Sequence, residues 1–313
     1  MAIELTGKVE GSVRKHNEAT LKAVWDNALL VLPQEQDPEH VIETTPEAAS
    51  NECFSDRYPT LIFAHGSSGI TPAIREFARF IAQETGWAVV APDSMQTKDR
   101  ITYTSPVARS DYEAVHSMRS EELLYCANKL FVEPWFAGTY AVAGTSEGGV
   151  AAARFDSQNL QIREKAKLIF SWSCESNYHV EVPRSVLPDD LPVLNVMSLA
   201  DKYFSSANSY LDNGAAFGYA REALKNNPNA SILLLPQAPH TLLNLPQVHA
   251  AAAEILQRVA PLVIVGISKV SYNAGLSRVQ KAPSNPVCAS EIGVRPCLLC
   301  FRLSCPRLTL VTT

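Results

Sequence analysis

The stretch YAVAGTSEGGVAAARF, residues 140–155, runs from alternating apolar residues through a serine set among glycines into an alanine-rich run. Its period predicts a buried strand over residues 139–144 and a helix from Glu147 onward, which leaves Ser146 on the turn between them. Gly144, Gly148 and Gly149 remove side-chain bulk where the backbone must pass close to its neighbours. One reading is a glycine-rich helix start that happens to contain a serine. The other is G-x-S-x-G on a strand–turn–helix, a sharp turn that lifts a serine hydroxyl above the carboxyl end of a sheet.

The flanking sequence repeats that alternation. TLIFAH (60–65), WAVVAP (87–92), AKLIFSWS (166–173), LPVLNVMS (191–198) and ASILLLPQ (230–237) are short apolar runs of the kind that form buried parallel strands. Between them, residues 71–86 place Ile74, Phe77, Ala78 and Ile81 at helical spacing, with Pro72 near the start and Gly86 at the end. Further helices are expected over 112–131, from Glu147, and over PQVHAAAAEILQRV (246–259). Together these predict an α/β fold, a mostly parallel sheet with helices on both faces. Edge strands are expected at ELTGKVEG (4–11) and NALLVLP (27–33), followed by a polar connection over 34–52.

A serine hydroxyl is a weak nucleophile near neutral pH and needs a base, normally a histidine oriented by a carboxylate. In a sheet of this kind the chain order is Ser, acid, His. His240, in the loop after the last strand, is the first choice; His249 falls within a helix, and His179 precedes the expected acid. Asp201, leaving the strand at 191–198, is the first choice of acid, with Glu175 as its rival. Asp189 and Asp190 precede that strand at the opposite end of the sheet, and Asp212 lies farther along. HGSSG (65–69) follows an earlier strand, where backbone amides can face a developing oxyanion. The amides of Ser67 and Glu147 are the expected pair.

HGSSG, GTSEGG, Asp201 and His240, in that order, resemble the α/β-hydrolase fold, and within it the dienelactone hydrolase family, over roughly residues 58–259. The resemblance implies a nucleophile after the fifth strand, an acid after the seventh and a histidine after the eighth. It also implies a small-molecule ester substrate and no cofactor. The short connection between residues 173 and 191 leaves no room for a large lid. The best-known dienelactone hydrolases carry a cysteine nucleophile, whereas position 146 is serine. Arg109 and Arg119 read as exposed helix residues, with contact to a substrate carboxylate as the alternative.

Of the 313 residues, 46% are hydrophobic, enough for a large core, and the net charge is −5. No basic patch with interleaved aromatics suggests a nucleic-acid partner. No apolar run has membrane-spanning length and no charged-then-apolar leader opens the sequence, so a cytoplasmic protein is expected. One hydrolase domain is expected over 1–261. Residues 262–313 read as an appended tail, basic and without period, in which Cys288, Cys297, Cys300 and Cys305 cluster. Cys297 and Cys300 have C-x-x-C spacing but lack a second ligand pair, so no metal is expected.

Overall fold

The computed structural model describes residues 4–260 except 35, 36, 38, 39, 53, 55, 206, 207 and 209–215. The tail with its C-x-x-C pair, and Asp212, lie outside the described residues. The elements are β1 (Lys8–Glu10), α1 (Glu18–Asp26), β2 (Leu29–Pro33), β3 (Val41–Thr44), α2 (Pro46–Ala49), β4 (Tyr58–Ala64), α3 (Pro72–Thr85) and β5 (Ala88–Ala91). They continue with β6 (Thr102–Thr104), α4 (Arg109–Leu130), β7 (Phe136–Thr145), α5 (Glu147–Arg154), β8 (Lys167–Phe170), β9 (Val193–Ser198), β10 (Ala230–Leu235) and α6 (Pro246–Val259).

Eight strands form one sheet in the order β3-β2-β5-β4-β7-β8-β9-β10. The run from β5 to β10 is parallel, and β2 is antiparallel to both of its neighbours. Successive residues of each strand enter opposite cores, as the period of two requires. Leu61, Val89 and Ala143 pack on the side of α3 and α6, while Ile62, Val90 and Val142 pack with α4 and α5 residues. Helix α3 buries Ile74, Phe77, Ala78, Ile81 and Ala82, and Gly86 ends it at φ 68°, a left-handed conformation suited to glycine. This is the α/β-hydrolase fold; residues 171–192, between β8 and β9, form no helix or strand.

Two expectations about the amino-terminal region need correction. The segment around β1 is not an edge of the main sheet; it pairs antiparallel with β6 in a separate two-stranded ribbon. The strand β2 is not an edge either, because the polar connection contains β3, which covers it. Helix α1 is started by Asn17, whose side chain accepts from the Thr20 amide while the Thr20 hydroxyl accepts from the Asn17 amide.

Candidate active site

Ser146 sits between β7 and α5 at φ 56°, ψ −116°. A non-glycine residue rarely adopts a positive φ, and the surrounding contacts hold it there. The Ser146 amide donates to the Phe170 carbonyl at 2.9 Å, and its carbonyl accepts from the Val150 amide at 3.1 Å. The glycines have a steric reason: a Cβ at Gly144 would press on the Gly148 carbonyl, one at Gly148 on Ala64, and one at Gly149 would lie 2.8 Å from the Phe170 oxygen.

The loop after β10 brings His240 to the same end of the sheet. Two serines at adjacent strand ends hold that loop: Ser171 Oγ donates to the His240 carbonyl and Ser198 Oγ to the Ala238 carbonyl, both at 2.5 Å. His240 Nδ1 is 2.6 Å from Asp201 Oδ2. An ionised carboxylate only accepts, so Nδ1 is the donor, and in the neutral ring the lone pair lies on Nε2. Asp201 is fully buried, and its Oδ1 accepts from the amides of Tyr203 and Phe204 at 2.8 and 3.0 Å. Glu175, the rival acid, is engaged elsewhere, accepting from the amides of Phe217 and Gly218. His249 is also engaged, stacked on Phe80 and bonded to the Leu243 carbonyl. Asp190 pairs with Arg163.

Counted along the main sheet, Ser146 follows the fifth strand, Asp201 the seventh and His240 the eighth. Ser146 and His240 line one cavity of about 600 Å³, with Ser67, Tyr103, Tyr178 and His179 among its other walls. The loop after β4 lies close to the nucleophile turn, since a Cβ at Gly66 would sit 3.6 Å from Ser146 Cβ. Glu147 is the first residue of α5, so its amide has no acceptor within the helix.

Behind this turn lies a buried ionic network that the sequence did not announce. The Glu147 side chain is fully buried and paired with Arg100 and, at 3.6 Å, with Arg119. Arg119 also pairs with Glu122, so it is neither an exposed residue nor a pocket residue. Its Nη2 donates to the His65 carbonyl at 3.0 Å, which ties the network to HGSSG. Glu122 Oε1 accepts from Ser94 Oγ and faces His16 Nε2 at 2.9 Å. Burial would raise the Glu122 pKa, but Arg119 together with the bonds from His16 and Ser94 outweighs it and holds the group at about 2. Burial, and then Arg119, pushes the His65 imidazole down to about 3. Neutral His65 donates from Nδ1 to the Gly66 carbonyl and accepts the Ser94 amide at Nε2, bracing the loop that presents Ser67.

His179, set aside by chain order, is a wall of the cavity. It is buried, 3.0 Å from the Tyr103 hydroxyl through Nε2 and 3.1 Å from His116 Nε2 through Nδ1. Tyr103 and Thr104 of β6 and the following Ser105 also reach the cavity. The chain-order rule selects members of a triad and is silent about residues that only shape the site. Among the described residues, no three His, Cys, Asp or Glu side chains gather as a metal ion requires, and no helix is long and apolar enough to cross a membrane.

No protein-family model and no curated protein sequence matches the chain. Similar solved structures include Est1E from Butyrivibrio proteoclasticus, at 16% identity over 74% of this chain and 93% of that one, with a TM-score of 0.45. A dienelactone hydrolase from Anabaena variabilis is 15% identical over 66% of this chain and 87% of its own, with a TM-score of 0.40. TT1662 from Thermus thermophilus is 18% identical over 66% and 90%, with a TM-score of 0.46.

Proposed function

From an α/β-hydrolase fold with a serine on its strained turn, we infer that this chain is a serine hydrolase of small carboxylic esters, thioesters and lactones included. The observation that carries the reading is the shared cavity of Ser146 and His240, with buried Asp201 2.6 Å behind the imidazole. Ser146 Oγ attacks the acyl carbonyl as His240 Nε2 takes its proton, and Asp201 stabilises the imidazolium. The amides of Glu147 and Ser67 hold the oxyanion, each such donor being worth about 3–4 kcal/mol in the transition state. Collapse of the tetrahedral intermediate expels the alcohol with the proton from His240. Water, activated by the same imidazole, then releases the acid and restores Ser146. No metal or organic cofactor enters these steps.

The test is a fluorophosphonate probe with mass-spectrometric mapping, alongside hydrolysis of a short-chain nitrophenyl ester. Labelling at Ser146, with both labelling and turnover lost in Ser146→Ala, is the expected result. Folded protein that neither labels nor turns over would refute the reading and leave a binding protein on a hydrolase scaffold.

A further inference from the structure

The imidazole of His240 is tethered at one atom. Among the described residues Asp201 is the ring's one hydrogen-bond partner, at Nδ1, while the bonds from Ser171 and Ser198 hold the backbone of its loop. A single bond fixes Nδ1 but lets the ring pivot about it, and that motion swings Nε2 away from Ser146. The plane of the ring needs a second restraint.

Two aromatic rings supply it. The Tyr203 ring meets the His240 ring T-shaped, with centroids 4.7 Å apart and planes at 71°, and the Phe204 ring lies 5.8 Å away at 53°. Both residues also donate their backbone amides to Asp201 Oδ1. Residues 201–204 thus carry the acid, brace it through two amides and pack two rings on the base. The rings differ in setting. Phe204 is buried, T-shaped against Trp172 at 5.1 Å, and belongs to the core. Tyr203 is half-buried, lines the cavity and has the Lys202 ammonium 4.9 Å from its ring centre.

The Lys202 contact shows the Tyr203 ring accepting a cation, and on the serine-hydrolase reading catalysis makes another beside it. Taking the Ser146 proton turns His240 into an imidazolium, which an aromatic ring attracts more strongly than it does a neutral imidazole. An aliphatic side chain would fill the same space without that attraction. An interaction stronger in the transition state raises kcat, whereas one equal in both states does not. Asp201 and Lys202 are the charged groups around the His240 ring. Of the other titratable walls, burial keeps His179 neutral, with a pKa of about 3, and raises the phenols of Tyr103 and Tyr178, so none of these titrates near neutral pH.

We propose, resting on the serine-hydrolase reading above, that Tyr203 is a positioning residue for His240, its ring holding the imidazole plane and favouring the imidazolium formed when Ser146 gives up its proton. Tyr203 acts through His240 and on no reacting atom of its own.

The experiment compares Tyr203→Phe, which keeps the ring, with Tyr203→Leu, which fills the space without one; Tyr203→Met is a second ring-less variant. Each is followed by pH–rate profiles on a short-chain nitrophenyl ester and by NMR titration of the His240 imidazole. In Tyr203→Leu, kcat falls about fivefold with KM unchanged, and both the acid limb of kcat/KM and the NMR pKa of His240 move down by about half a pH unit, the size of one exposed cation–π contact. Tyr203→Phe keeps the wild-type values. Loss carried by KM, equal loss in the Phe and Leu variants, or an unmoved His240 pKa makes Tyr203 a cavity wall and overturns the proposal. Wild-type protein that neither labels at Ser146 with a fluorophosphonate nor turns over indicts the hydrolase reading instead. The NMR titration needs no turnover and decides the role of Tyr203 in either case.

Discussion

Glu147 should be replaceable in chemistry but not in architecture, and Glu147→Gln separates the two. The substitution keeps the backbone amide and the side-chain shape while removing the charge. In the wild type that charge is fully buried and shared by two guanidinium groups. Arg119 retains Glu122 as a partner, but among the described residues Arg100 keeps two uncharged acceptors, Ser94 Oγ and the Ile101 carbonyl. Unit charges 4 Å apart at an effective dielectric constant of 20 attract by about 4 kcal/mol. Breaking a buried pair by removing one partner typically costs about 3–5 kcal/mol. Urea unfolding of Glu147→Gln should therefore show about 3–5 kcal/mol less stability, a large share of the margin of an ordinary domain. Adding Arg100→Met to the variant removes the orphaned cation, and the double variant should be more stable than Glu147→Gln alone. On the serine-hydrolase reading, folded Glu147→Gln should keep kcat within about tenfold, since the oxyanion donor proposed there is the backbone amide, whose loss costs about 100-fold or more. A stability change below 1 kcal/mol, or a double variant weaker than either single one, would refute the argument that the ions are desolvated and mutually dependent.

Asp201→Asn keeps an acceptor for the Tyr203 and Phe204 amides but loses the charge behind His240. On the serine-hydrolase reading kcat should drop by about 10⁴-fold with little change in melting temperature, and an unaffected kcat would remove Asp201 from the mechanism. Gly148→Ala forces a methyl group against the Ala64 and His65 carbonyl oxygens, and should destabilise by at least about 1–3 kcal/mol in urea titration. Acid sensitivity follows from His65 and His179, each held at about 3 in the folded chain against about 6.5 when unfolded. Between those values the unfolded chain binds protons that the folded chain refuses. Stability is thus intact above pH 6.5 and falls as pH drops, by about 3 kcal/mol per unit for the two together. Flat urea midpoints from pH 6.5 to 4.5 would contradict this.

What the sequence exposes, and what it hides, follows from local pattern. Parallel strands buried on both faces are apolar runs, so β4, β5, β7, β8 and β9 are legible; β10 is legible from its apolar run although it lies part-exposed at the sheet edge, and α3 from its proline start and glycine end. The strand β3 hides because VIET is part-exposed at a sheet edge and has only two apolar residues. Ser146, Asp201 and His240 are legible as candidates because each follows such a strand. Helix α4 misleads for the opposite reason: it turns His116, Arg119 and Glu122 inward, so its charged residues imitate a solvated face. The local clue was the Arg119–Glu122 spacing of three, which permits an ion pair within the helix. The partners that make burial tolerable, Glu147 and His16, lie on distant elements and leave no trace in the neighbouring residues.

The second variable position of GTSEG therefore has a purpose that the motif does not specify. Ser146 occupies a backbone conformation that a free chain would leave, and such strain persists only where neighbours over-determine it. Two backbone bonds and three glycines set the turn from below. The Glu147 side chain pins its next residue from the side, through Arg100 on the segment leading into β6 and Arg119 on α4. Arg119 also bonds the His65 carbonyl, so one guanidinium couples the turn carrying Ser146 to the loop carrying Ser67. The two amides assigned to the oxyanion thus belong to segments that are braced through a shared cation. A buried network of this kind contributes little net stability compared with apolar packing. On the serine-hydrolase reading its value is positional, fixing the spacing of the two donors proposed to converge on one oxygen.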